Sequence, residues 1–244
     1  MNTEIAYAFA WYFVFIVSAT VHEAAHAWAA KRGGDPTAYE GGQVSLNPWP
    51  HIKRAPIGMV IIPIISIFLI HWPFGFASTP IDPIWAYQNP RKSAWVSLAG
   101  PVANLVLVTI CFIVMQIGIF SGFFAGPNSV NLRQIVISGS GGVLSGLALL
   151  VSMMFTMNVI LFILNLIPLP PLDGSGVIAL FLNEDSARKY HSVISNPAFG
   201  FVGLLLARQV FNPIFQALFT KIVNVIYWSV DYYYGAIFTI LHLS

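Results

Sequence analysis

Two histidines four residues apart, His22 and His26, flank a carboxylate in the run His22-Glu23-Ala24-Ala25-His26. On an α-helix this spacing is one turn, so both imidazoles project from one face and their nitrogens can reach a single ion. Tetrahedral zinc needs that geometry from two of its ligands. Glu23 sits beside them, placed to take a proton from an attacking water and return it to a leaving amine. The competing explanation is a chance match in which the three side chains serve structural hydrogen bonds; an HExxH arises by chance in on the order of one sequence in a hundred at this histidine content. This one, however, lies near the end of an apolar segment, where each ionisable group costs roughly 2 to 3 kcal/mol unless it is paired or bound to a cation. Three such groups together favour a metal.

A catalytic zinc needs a third protein ligand and an open position. The remaining histidines are His51, His71, His191 and His242, and most acids lie in polar stretches. Asp173 stands apart. It follows the apolar run ending at Ile167, in Pro168-Leu169-Pro170-Pro171-Leu172-Asp173-Gly174. The prolines there must break a helix at membrane depth, which is tolerated only where the break lines protein or a water-filled cavity. A helix N-cap role for Asp173 is the alternative, and it does not exclude ligation.

These residues resemble the site-2 protease family of intramembrane zinc metalloproteases, peptidase family M50. His22-Glu23-Ala24-Ala25-His26 looks like the family's HExxH. Asn165-Leu166-Ile167-Pro168 with Leu172-Asp173-Gly174 looks like its second signature, NxxPxxxxDG, whose aspartate is the third zinc ligand. Ser45-Leu46-Asn47-Pro48-Trp49-Pro50-His51-Ile52 and Leu98-Ala99-Gly100-Pro101-Val102-Ala103-Asn104 are similar to segments of the compact bacterial branch, which lacks PDZ and CBS domains. One departure is Lys53, where that branch usually has an acid after His-Ile. The resemblance implies one zinc ion per chain held by His22, His26 and Asp173, with Glu23 as base. It also places Asn165 in the active site, where its amide could polarise the scissile carbonyl or hold the substrate. A hydrogen bond between helices is the other use of Asn165. Asn104 and Asn158 rank below it for either role. His51 reads as structural, although an approach to the metal or substrate stays open.

The elements that must position these groups are membrane helices. The chain has 244 residues, of which 57% are apolar and 8% charged, too few polar residues to cover a soluble globule. The net charge of +2 is small and its basic residues are scattered, which argues against a nucleic-acid partner. One cysteine, Cys111, lies in an apolar stretch and reads as a small buried hydrophobe, so neither an internal disulfide nor a cysteine metal cluster can form. The first apolar run carries the HExxH and lacks a basic n-region, so it is expected to be retained and not cleaved as a signal peptide. Spans are expected at Ile5 to Ala30, Ala94 to Phe120 and Leu147 to Ile167. The C-terminal region Phe199 to Leu241 should form two helices, interrupted near Asn212-Pro213 and Lys221. Gly41 to Pro56 reads as a loop with one short strand at Gln43 to Leu46, and Gly122 to Gly146 as a Gly/Ser-rich connection. The expected class is an all-α polytopic membrane protein. It has five to six hydrophobic segments around three helices that carry the zinc site, in a single domain over residues 1–244.

Both ligand sets lie at the C-terminal ends of their segments, so those two helices must run parallel with an odd number of crossings between them. Ala94 to Phe120 supplies one. Ile57 to Ile70 must therefore be re-entrant or otherwise fail to cross, unless Gly122 to Gly146 adds a crossing. The distribution of Lys and Arg favours an N-terminus outside and the Lys31 to Arg54 loop in the cytoplasm. The function expected is zinc-dependent hydrolysis of transmembrane segments of other proteins in a bacterial plasma membrane, in regulated proteolysis. Partners would be that substrate, the lipid bilayer and a regulatory membrane protein. The loop Gly33 to Pro56 and the break at Pro168 to Pro171 would admit water. Two rivals are an inactive relative that binds membrane segments without cutting them and a metal transporter, for which the spans offer few ionisable residues.

Overall fold

A computed structural model describes residues 3–228. α1 (Thr3–Gly33) is closed by Gly34, whose φ of +104° lets the Asp35 amide donate back to the Ala30 carbonyl. Lys31 and Arg32 occupy its last turn, where cations complement the helix dipole. Two short helices follow, α2 (Thr37–Glu40) and α3 (Pro48–Arg54), the latter capped by the Asn47 side chain accepting from the Trp49 amide. A π-helical turn (Ile57–Ile61) then leads into α4 (Ile62–Ile70), bent 113° from α3. After α5 (Pro83–Gln88) come the long helices α6 (Pro90–Phe120) and α7 (Gly142–Asn165). The short α8 (Asp173–Val177) runs through a 3₁₀ turn to α9 (Glu184–Ile194), and α10 (Pro197–Tyr227) ends the described chain.

α1, α6, α7 and α10 are each long and apolar enough to cross a membrane, and the bent pair α3 and α4 is a broken span or a re-entrant loop by the same measure. At about 1.5 Å per residue, the 31 residues of α1, α6 and α10 exceed a hydrocarbon core of about 30 Å, so these helices tilt or project. α7 is the most enclosed of the four. It packs on α1 and α4 through Met153, Met157, Trp11, Phe15 and Ile67. Its other side packs on α6 and α10 through Phe155, Val159, Cys111, Met115 and Phe219. Large apolar side chains elsewhere, such as Phe9, Phe13, Val106, Ile110 and Ile117, face outward, as lipid solvation allows.

The stretch from α1 to α6 goes down and comes back. α4 ends at His71, within 4.0 Å of Glu4 at the start of α1, and the Trp72 ring packs against Trp11 at 4.3 Å, tilted by 60°. The chain then returns without helix along α1: the Phe76 amide donates to the Gly58 carbonyl and Thr79 reaches Glu23. α6 begins where α1 ended, with Lys92 Nζ 3.2 Å from the Gly33 carbonyl. Entering and leaving at one end, residues 34–89 make no net crossing. Between α6 and α7 the chain forms a tucked loop with buried Val130, Ile135 and Val136, and no crossing helix. α7 is therefore parallel to α1.

Two expectations are corrected. Gln43 to Leu46 is not a strand: Gln43 is drawn back by its amide to the Ala38 carbonyl, and the run is a turn ahead of α3. α10 is not interrupted at Asn212-Pro213 or Lys221. A proline costs about 3 kcal/mol inside a helix, but unwinding in an apolar phase would strand still more backbone groups, so α10 continues through Pro213 as α6 does through Pro101. The second C-terminal helix expected up to Leu241 lies outside the described residues.

Candidate metal centre

His22, Glu23 and His26 are buried in the penultimate stretch of α1, and Asp173 is brought to them by the break after α7. Asp173 is the first residue of α8 and its side chain caps nothing. Two glycines let α8 come in close. A Cβ on Gly174 would stand 2.5 Å from the Ile167 carbonyl, and one on Gly176 would collide with Ser97 of α6. Behind them, Gly203 of α10 lies against the Pro170 carbonyl, closing the break from outside.

His22 Nε2, His26 Nε2 and one carboxylate oxygen of Asp173 converge. The two nitrogens are 3.0 Å apart, and Asp173 Oδ2 is 3.0 Å from the first and 3.3 Å from the second. Ligands roughly 2.0 to 2.1 Å from a tetrahedral zinc are themselves separated by about 3.3 Å, so this triangle has the size of a zinc face. Among the described residues it is the group of three that could hold a metal.

The hydrogen bonds behind the rings settle what the triangle presents. His26 Nδ1 is 2.7 Å from the Val96 carbonyl, which can only accept, so the proton is on Nδ1 and Nε2 carries a lone pair. For His22 the argument runs through two amides. The Met154 carbonyl accepts from Asn158 Nδ2, which turns Asn158 Oδ1 toward Asn104. Asn104 Nδ2 donates to that oxygen, leaving Asn104 Oδ1 2.5 Å from His22 Nδ1, which must be the donor. Asn158 also donates to Ser18 Oγ of α1, so the chain joins α1, α6 and α7. Both Nε2 atoms thus offer lone pairs, and Asp173 Oδ2 is a buried atom without a hydrogen-bond donor. Three lone pairs facing one point repel unless a cation, or a proton borrowed onto an Nε2, lies between them. The donor set, the size and the orphaned oxygen fit a zinc ion.

Gly100 of α6 faces both rings: a Cβ there would stand 2.5 Å from His22 Nε2 and nearer still to His26 Nε2. Glu23 Oε2 accepts from Thr79 Oγ at 2.8 Å, on the returning arm of the re-entrant stretch. Asn165 ends α7, half-buried, and its side chain makes no hydrogen bond to the described residues. His51 is buried with Nε2 donating to the Ser45 carbonyl, in the loop and not at the triangle. His71 lies at the far end of α1, His191 on α9, and His242 outside the described residues. Reading the chain alone ranked Asn104 and Asn158 below Asn165 and did not single out Thr79 or Gly100; in the structure the two asparagines link α1, α6 and α7 and reach His22. For the asparagines a signal existed, since each is an amide set inside an apolar helix; Thr79, in a proline-flanked loop, had none.

A family model described as "Peptidase family M50" matches residues 10–207, a stretch that includes all four residues of the site. A Bacillus subtilis (strain 168) protein named "Putative zinc metalloprotease YwhC" is 35% identical over 165 residues, 67% of this chain and 64% of that protein, so the match spans less than two thirds of that relative's length. A Mycolicibacterium smegmatis protein named "Putative zinc metalloprotease Rip2" is 28% identical over 218 residues, 89% of this chain and 71% of that protein. Its namesake in Mycobacterium tuberculosis (strain H37Rv) is 24% identical over 218 residues, with the same coverage. No solved structure matches the chain.

Proposed function

The chain belongs to peptidase family M50, and on that premise we propose that it is a zinc-dependent intramembrane endopeptidase. His22, His26 and Asp173 hold the ion, Glu23 is the general base, and the substrates are transmembrane segments of other proteins in a bacterial plasma membrane. The observation that carries the reading is the convergence of three bare lone pairs at the shared end of two parallel apolar helices, with a buried carboxylate next in sequence to the first of them.

When bound, zinc supplies a Lewis acid that polarises a carbonyl and brings the pKa of water to about 7. The chain does the rest. Asn104 and the Val96 carbonyl fix each imidazole by its Nδ1 proton, holding both Nε2 atoms toward the ion. Glu23 accepts the proton of the attacking water and delivers it to the leaving amine, while Thr79 holds its carboxylate through Oε2. Asn165, its amide unengaged at the broken end of α7, donates to the substrate carbonyl or keeps the substrate extended. A transmembrane helix hides its carbonyls in its own hydrogen bonds and must unwind locally before it is cut. Helix-weakening residues near the scissile bond are therefore favoured, and cleavage of membrane-bound regulators is the setting this chemistry suits.

Zinc content and cleavage of a transmembrane substrate by detergent-purified wild type, Glu23→Gln and Asp173→Ala test this. Glu23→Gln should keep zinc and lose cleavage, and Asp173→Ala should lose both. Equal zinc in all three proteins, with no cleavage of any of several substrates, would remove Asp173 from the ligand set and favour a non-hydrolytic binder or a transporter. Transport is disfavoured by the helices themselves: α7, the most enclosed, contains no Asp, Glu, Lys, Arg or His.

A further inference from the structure

A cavity of about 370 Å³ lies between the loop after α2, α3 and the returning arm of the re-entrant stretch. Gly41, Gln43, Trp49, Lys53, Arg54 and Pro80 line it, and no acid does. Gln43 is 2% exposed, yet neither its amide nitrogen nor its amide oxygen has a hydrogen-bond partner. Both of its polar atoms are closed off from the cavity, so the groups able to meet a ligand stand at the rim. Two cations stand at the rim. Lys53 Nζ is 5.5 Å from the Trp49 ring centre, and Arg54 Nε is held by the Ser78 carbonyl at 3.0 Å, leaving its terminal nitrogens to act.

The cavity adjoins the catalytic end of the molecule. Pro80 lines it, and the preceding residue, Thr79, donates to Glu23. The residue that holds Glu23 and one that walls the cavity are thus consecutive in the chain. We infer that this cavity is a specificity subsite for an acidic segment of the substrate just outside its membrane span, with Lys53 and Arg54 taking its carboxylates. The inference rests on the peptidase reading for the identity of the ligand as a substrate.

The test is binding of fluorescent transmembrane peptides of one span sequence, flanked on both sides by three aspartates, three serines or three lysines, to the detergent-solubilised full chain carrying Glu23→Gln. No turnover is needed. The aspartate-flanked peptide should bind about fivefold to tenfold more tightly than the lysine-flanked one, the range that two partly exposed ion pairs provide, with the difference shrinking in high salt. Lys53→Glu should cancel or invert that preference. Equal affinities for the three peptides, or a preference unmoved by Lys53→Glu, overturns the subsite. Cleavage of the serine-flanked peptide by the protein with Glu23 intact reports separately on the peptidase reading. Cleavage without a charge preference would leave the enzyme and remove the subsite, and charge-selective binding without any cleavage would do the reverse.

Discussion

Gly100→Ala places one methyl group at the position on which the metal centre depends. Its carbon would stand 2.5 Å from His22 Nε2, 2.6 Å from His22 Cε1 and closer to His26 Nε2, whereas ordinary contact begins at 3.4 Å. A zinc ion must lie about 2.0 to 2.1 Å from those same nitrogens, so the methyl crowds both ligand atoms that would hold it. Relief requires the rings to withdraw by roughly 1 Å, against a tolerance of about 0.2 Å in metal–ligand distances. Nor can they withdraw freely. Both Nδ1 atoms are tied to Asn104 and Val96, which ride on the same helix as residue 100. Folding is affected far less. Alanine recovers about 1 kcal/mol of helix propensity over glycine, and overpacking costs about 1 to 3 kcal/mol, which leaves a net change of about 2 kcal/mol or less. The expected result is zinc affinity reduced at least about a hundredfold, or about 2.7 kcal/mol, in a protein that keeps its helicity. Metal content measured across a series of buffered free-zinc concentrations, with far-ultraviolet circular dichroism and thermal unfolding on the same samples, gives both numbers. A Gly100→Ala protein that binds zinc within threefold of wild type would refute the placement of the ion between these rings.

Three further outcomes follow from the same geometry. Asn104→Ala and Asn158→Leu each break the amide chain that sets the His22 proton, and each should cost about tenfold to a hundredfold in zinc affinity; titration of the two variants against a zinc chelator measures it, and unchanged affinity in both would detach the network from the metal. Thr79→Val removes the hydroxyl held by Glu23 without touching the ligands, so kcat should fall about tenfold at full zinc content while Thr79→Ser retains activity; a loss of zinc in Thr79→Val would mean that the arm supports the fold and not the base. Asp35, outside the spans, is buried, which raises its pKa, but the Thr37 hydroxyl and the Thr37 and Asp82 amides outweigh burial and hold the carboxyl below its ordinary value. A depressed carboxylate stabilises the fold above the unfolded pKa of about 3.9 and loses that contribution as pH falls through the lower folded value. Thermal unfolding of wild type against Asp35→Asn should therefore show a constant gap above about pH 5 that closes below about pH 4, and a gap independent of pH would contradict the assignment.

How much of this was legible in the chain depends on whether a residue announces itself by its own cost. His22, Glu23 and His26 do, because ionisable groups in an apolar helix are expensive wherever they face, and Asp173 does because four prolines and glycines surround it where a helix has to end. Parallel α1 and α7 were legible too, since counting crossings is arithmetic on segment ends, and the non-crossing of residues 34–89 follows from it. What a single strand of sequence lacks is the distance between helices. Asn104, Asn158 and Ser18 are each an ordinary polar exception in an apolar run, and only their meeting across three helices turns them into a device that fixes a proton on His22. Asn165 drew attention through its motif, and its side chain makes no hydrogen bond to the described residues. The same limit explains the errors of local structure. Gln43 to Leu46 alternates like a strand, but the alternation comes from a turn whose one buried side chain faces a cavity. Pro213 breaks a helix in water and not in lipid, where the alternative to a flawed helix is an unpaired backbone. The returning arm from Trp72 to Asp82 carries no period at all, and it supplies both the hydroxyl that holds Glu23 and one wall of the cavity. A stretch with no helical or strand signal, lodged along a membrane helix, has to earn its place by the contacts it makes with the site.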